Sequence, residues 1–190
     1  MKVKVRFPFY KARIDGELLD DTIAIVTALF PVNWKRGWLR HWYSHVEFWL
    51  PDKNGNFVDE HRNFVGQCFS STTRGGAKGV RMWGAKYVLK HPERWDYIEA
   101  EVDEGDFKRV RELMKLELHK KYDYSWLFSF LIPFFKEDPN KWGCSELIGW
   151  TAFELKVLKK IFKKKTDPRK LARLLEESLN CLTRPLSGEK

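Results

Sequence analysis

Val3, Val5 and Phe7 alternate with Lys2, Lys4 and Arg6, a period of two that predicts an amphipathic first strand. Pro8 has no amide hydrogen to give to a ladder, so this strand is expected to be short or to lie at a sheet edge. The clearest strand covers residues 43–50. Ser44, Val46, Phe48 and Leu50 share one face there, and Tyr43, His45, Glu47 and Trp49 share the other. Asp52, Asn54, Gly55 and Asn56 then signal a turn, followed by a strand or extended loop at 57–60. Further strands are expected at 67–72, 80–83 and 95–102, with a glycine-containing loop at 74–79. Residues 21–30 are apolar and fit a short helix or a strand equally.

The period changes after residue 102. Asp106 is a good N-cap, and Phe107, Val110, Leu113, Met114 and Leu118 follow at helical spacing. A second helix is expected to begin near 140–143 and run past Leu155, burying Leu147, Ile148, Ala152 and Leu155. A third starts at Asp167 and Pro168, a cap followed by the residue best suited to the first helical position, and aligns Leu171, Leu174, Leu175 and Leu179. Strands early and helices late predict an α+β fold, an antiparallel sheet with helices packed on one side. No repeat, low-complexity tract or linker divides the chain, so residues 1–190 read as a single domain.

At 43% hydrophobic, 15% aromatic and 32% charged residues, the composition excludes a disordered chain, a collagen or a disulfide scaffold. The longest uncharged apolar runs, 22–32 and 124–135, fall short of the ~20 residues that cross a bilayer, so no membrane span is expected. The first residues lack the pattern of an export signal. Three scattered cysteines, Cys68, Cys144 and Cys181, fit a reducing compartment, and the expected location is cytoplasmic. The net charge is +9. Nine basic residues against one acid between Lys156 and Arg173 carry nearly all of it. Such a segment is a solvated helix face or a surface for nucleic acid or another anionic partner.

Cys144 follows Gly143 at the start of the second expected helix, a position where thiols become reactive. The attacking species is the thiolate, and a free thiol with pKa ~8.5 is only a few per cent ionised at neutral pH. A first helical turn favours an anion by ~0.3–1 kcal/mol. An imidazolium ~4 Å away contributes up to ~4 kcal/mol at an effective dielectric of ~20. A histidine partner therefore decides the reactivity. His45 is the best placed of five, being mid-strand on a face that also carries Glu47. His41 and His45 have metal-ligand spacing only on a helix. On a strand they lie ~13 Å apart, so no zinc site and no cofactor is expected.

Ser44-His45-Val46-Glu47, Cys68-Phe69-Ser70-Ser71 leading into Gly79-Val80-Arg81, Lys121-Tyr122-Asp123-Tyr124, and Trp142-Gly143-Cys144-Ser145-Glu146-Leu147 together resemble the circularly permuted branch of the NlpC-type papain-like cysteine hydrolases. That branch includes YiiX-like, lecithin retinol acyltransferase-like and phage-type members, and in it the histidine strand precedes the cysteine helix. The likeness runs from Tyr43 to Leu179. It implies a permuted papain-like domain with Cys144 as nucleophile and His45 as general base. For a phage protein, the host cytoplasm is the implied location.

Relatives usually take the group that orients the imidazole from the strand after the histidine strand. Ser70, Glu60 and His61 are candidates there, and Glu47 qualifies from the histidine's own face. Glu47 and Ser70 rank ahead of Glu60. Residues two apart on a strand are rooted ~6–7 Å apart, so Glu47 needs a bent approach. The expected chemistry is cleavage of a peptide, amide or acyl substrate through a thioester, with the oxyanion met by the Cys144 amide. Two alternatives stand beside it. One is a lipid acyltransferase or thioesterase using the same dyad and the aromatic residues 126–135, and the other is a non-catalytic polyanion-binding module built on the basic segment.

Overall fold

The computed structural model describes residues 1–11, 43–124, 138, 140–160 and 166–189. Strand β1 (Lys2–Lys11) lies inside the sheet instead of at its edge. On one side it pairs antiparallel with β6 (Trp95–Asp103), from Lys2 opposite Asp103 to Tyr10 opposite Trp95. On the other it meets β2 (Tyr43–Val46) and β3 (Phe48–Leu50). Pro8 is thus in a central strand of ten residues, and the expectation of a short or edge strand does not hold. The physical reason lies in the register. Phe9 faces Val46 and Arg6 faces Trp49, so Pro8 stands opposite Glu47, the residue between β2 and β3 where the neighbouring strand is interrupted. Glu47 N–H donates to the Pro8 carbonyl at 2.9 Å, and the return bond that an amide at position 8 would make is absent.

Next come β4 (Gln67–Thr72), β5 (Gly79–Gly84), the one-turn helix α1 (Ala85–Val88), helix α2 (Glu104–Glu117), the short strands β7 (Lys121–Tyr122) and β8 (Lys141–Trp142), helices α3 (Cys144–Glu154) and α4 (Pro168–Leu179), and β9 (Arg184–Pro185). The sheet runs β8-β7-β5-β4-β3-β1-β6-β9, with β2 extending β3 along β1. Only β7 and β8 pair in parallel among the described strands. The fold is α+β with a mostly antiparallel sheet. Residues 57–60 form an extended loop with one bridge, Val58 to Phe64. The undecided segment 21–30 lies outside the described residues.

Alternation along each strand sends apolar side chains to both faces, which is why each face needs a cover. Val5, Phe7, Phe9, Val46, Phe48, Phe69, Ile98 and Ala100 pack under α2, α3 and α4, against Met114, Leu147, Ile148, Leu171 and Leu175. Trp49, Cys68, Trp95 and Tyr97 on the opposite face are covered by loops, α1 and the C-terminal turn through Phe57, Phe64, Leu89 and Leu186. In β2 the expected face assignment shifts at one position. A bulge between Tyr10 and Lys11 turns Tyr43 into the helix-covered core in place of Ser44.

Helix α2 begins three residues earlier than expected. Asp103, the last residue of β6, caps it by accepting the Gly105 N–H at 2.8 Å, while Asp106 sits in the first turn and pairs with Lys156. In α4 the cap is the expected one, with the Asp167 carboxylate accepting the Lys170 N–H at 2.9 Å ahead of Pro168. Asp167→Ala is expected to cost about 1 kcal/mol and to lower Tm by about 2–4 °C, read by thermal denaturation. An unchanged Tm would mean that packing alone positions α4.

Candidate active site

Two irregularities in the ladder meet at Val46 and Glu47. The first is the missing rung at Pro8. The second is on the other edge. Phe48 faces Phe69 and Leu50 faces Gln67, and continuing that register would pair Val46 with Ser71, but β2 pairs only with β1. Side chains take over the groups of the unformed rung. The Ser70 hydroxyl donates to the Val46 carbonyl at 2.8 Å, and the Val46 N–H favours the ionised form of the Cys144 thiol. The Ser71 hydroxyl donates at 2.6 Å to the carbonyl of Trp142, tying the approach to α3 against the same strand. The N-terminus of α3 therefore fills the place where β2 and β4 diverge.

Local sequence explains how the helix begins there. Gly143 adopts an extended backbone as the residue before α3, and the Glu146 carboxylate turns back to accept the Gly143 N–H at 3.4 Å. One of the orphan donors of a helix start is thereby satisfied. Ser145 bonds the carbonyl of Thr166, fastening the first turn to the residue before the α4 cap. Cys144 is left facing the sheet, 2% exposed.

His45 is also buried, and its Nε2 lies 2.6 Å from Glu47 Oε1. The ladder is interrupted at Glu47, so the bent approach required of two residues on one strand is realised. Glu47 is fully buried and grips Arg81 from β5, with Nη1 donating to Oε2 at 2.7 Å and Nη2 to Oε1 at 2.5 Å. Burial alone would raise the Glu47 carboxyl, but the Arg81 charge and the His45 hydrogen bond outweigh it and hold the group at about 2. An ionised carboxylate only accepts, so Nε2 carries the proton and the lone pair of the neutral ring is on Nδ1.

Burial lowers the pKa of His45, the Glu47 hydrogen bond and charge oppose this, and Arg74 and Arg81 reinforce it. The imidazole is neutral at pH 7. Burial pushes the Cys144 thiol up to about 11, against the favourable Val46 and Ser145 N–H groups and the Arg74 charge. Both shifts disfavour transfer of the thiol proton to the imidazole at rest. The expected thiolate–imidazolium pair is replaced by two neutral groups, because desolvation of both exceeds what they gain from charge. The sulfur and the imidazole are not hydrogen-bonded to each other. Cys144 packs in the helix-covered core, and His45 stands on the other face of the sheet, where its ring meets Trp95.

Of the residues expected to orient the imidazole, Glu47 touches it. Ser70 is buried but bonds the Val46 and Ser71 carbonyls, so it supports the strand backbone beside the site. Glu60 and His61 are exposed and pair with each other at 3.5 Å. Two arginines also bear on the site. Arg81 shares the face of Cys68 and Trp83 by simple alternation, a signal that only becomes legible once β5 is known to lie two strands from His45. Arg74 stacks over the Tyr10 ring at 4.1 Å and donates to Ser44 at 3.1 Å.

His41 and the aromatic residues 126–135 lie outside the described residues. Among the described residues, no group of three or more His, Cys, Asp or Glu gathers as a metal site, and no helix is long and apolar enough to cross a membrane. In the basic segment, Lys156 pairs with Asp106, Arg169 with Asp167 and Arg173 with Glu177. No protein-family model, curated protein or solved structure matches this chain.

Proposed function

We propose that this chain is a thiol hydrolase that cleaves an amide, peptide or ester bond through a covalent thioester on Cys144. The observation that carries the reading is the buried His45–Glu47–Arg81 chain on the strand against which the Cys144 helix packs. A buried histidine whose outer nitrogen is held by an ionised carboxylate is prepared to accept a proton on the other nitrogen.

In this reading substrate binding brings the His45 ring round the interrupted strand to the sulfur, and Cys144 attacks the substrate carbonyl while Nδ1 takes the thiol proton, so that no free thiolate accumulates. The Glu47 carboxylate stabilises the imidazolium that forms. The developing oxyanion meets the Cys144 N–H of the first helical turn and the nearby positive charge of Arg74. The imidazolium returns its proton to the leaving amine or alcohol as the C–N or C–O bond breaks. Water, deprotonated by the same ring, then cleaves the thioester and restores the thiol. Among the described basic residues of that segment, Lys156, Arg169 and Arg173 already pair with carboxylates, which gives a polyanion-binding module less support.

The test is acylation by an activated aryl ester, followed by mass spectrometry of the intact chain and its peptides. Wild-type protein is expected to carry the acyl group on Cys144 and to lose it on standing in water, while Cys144→Ala carries none. Equal acylation of Cys68, Cys144 and Cys181, or none on Cys144, would remove the hydrolase reading.

A further inference from the structure

We propose that Pro8 is a positioning residue for the His45–Glu47 couple: by withholding one main-chain hydrogen bond from the middle of the sheet, it keeps Glu47 free to turn onto the imidazole. The catalytic meaning of this device rests on the hydrolase reading. The geometry does not.

Proline inside a sheet is confined to edges and bulges because it removes a ladder bond. Here β1 has neighbours on both sides, yet Pro8 stands in the sheet without a bulge at its own position. What accommodates it is the interruption across from it. The Glu47 N–H still donates to the Pro8 carbonyl, but the pyrrolidine ring fills the space through which a return bond to the Glu47 carbonyl would pass. The neighbouring strand breaks into β2 and β3 at that one residue.

Two side chains on the same face of an uninterrupted strand are rooted ~6–7 Å apart and stand nearly parallel. His45 and Glu47 instead converge to 2.6 Å, although Glu47 is also gripped by Arg81 from β5. An amide at position 8 would close the rung and draw the Glu47 backbone into the regular pleat. The carboxylate would then stay with Arg81, which holds it with two hydrogen bonds, and separate from the ring, which holds it with one.

The test uses the full chain carrying Pro8→Ala, with ¹⁵N-histidine NMR and Cys144 acylation as separate readings. In wild-type protein a downfield Nε2–H resonance is expected for His45, from the short bond to a carboxylate. In Pro8→Ala that resonance is expected to disappear and the His45 pKa to fall further. Of the charged groups that face the ring, Glu47 raises its pKa while Arg74 and Arg81 lower it, and the variant weakens the first alone. Acylation of Cys144 is expected to slow roughly tenfold.

Pro8→Val, β-branched and suited to a central strand, serves if the alanine variant does not fold. A folded Pro8→Ala or Pro8→Val protein that keeps the wild-type resonance and pKa overturns the proposal. So does failure of both variants to fold, since a residue that acts by omitting a hydrogen bond is replaceable without loss of the fold. If wild-type Cys144 takes no acyl group, the hydrolase reading falls and the imidazole resonance still decides the role of Pro8.

Discussion

Glu47→Ala is expected to remove about 3–5 kcal/mol of folding stability, the cost of breaking a buried charged pair by deleting one partner. The carboxylate is fully buried and holds both Nη groups of Arg81 and the ring of His45. Arg81 Nε is already buried without an acceptor among the described residues, so the guanidinium left behind has little else to bond. Thermal or urea denaturation reads the loss directly. Glu47→Ala combined with Arg81→Met should recover most of it, because an apolar replacement of a buried ion pair is often neutral or better. Equal stability of Glu47→Ala and wild type would mean that water reaches the pair and solvates Arg81.

The same carboxylate sets an acid limb. Its pKa lies near 2 in the folded chain, below its ordinary value of 4.5. A depressed carboxyl stabilises the fold above the unfolded pKa and loses that contribution as pH falls through the folded one. Stability is therefore expected to decline between about pH 4.5 and 2, by on the order of 3 kcal/mol, with Glu47→Ala lacking this part of the decline. His45 adds to acid sensitivity from a higher pH. Its imidazole resists protonation when folded, so the unfolded chain binds the extra proton as pH drops below about 6.5.

His45→Ala is expected to slow acylation of Cys144 at pH 7 by about 10²–10⁴-fold, the usual span of general-base assistance. The pH profile carries more information than the single rate. With a neutral resting pair, the wild-type rate should rise through the depressed pKa of His45 and stay level across pH 7–8. Without the imidazole, only thiolate reacts, and the rate should climb tenfold per pH unit towards the thiol pKa of about 11. A wild-type profile that also climbs towards pH 11 would show that the histidine takes no part in the attack.

Much of the fold was legible because its signals are local. The strands expected at 67–72, 80–83 and 95–102 coincide with β4, β5 and β6 to within a residue, and Asp167-Pro168 located the start of α4, since a side chain that caps a helix acts within three residues of itself. The misread positions are those where a distant partner changed the meaning of a local rule. Pro8 implies an edge only if both of its neighbours need its amide, and the β2–β3 interruption removes that need. Asp106 is a suitable cap, but Asp103 reaches a free amide first because β6 runs directly into α2.

The candidate site divides in the same way. Cys144 after a glycine at a helix start, and His45 with Glu47 on one strand face, were visible as residue types in suitable settings. The charge state was not. Whether sulfur and imidazole exchange a proton at rest depends on burial, on Arg81 arriving from β5 and on Arg74 from the turn after β4, all of them contacts between segments far apart in the chain. The amino-acid order by itself determined an α+β chain with strands, helices and a cysteine at a helix start, because these follow from periods and caps spanning a few residues. Only the tertiary structure decided that α3 sits where β2 and β4 diverge and that Cys144 and His45 are both buried, because strand pairing and desolvation are properties of neighbours in space.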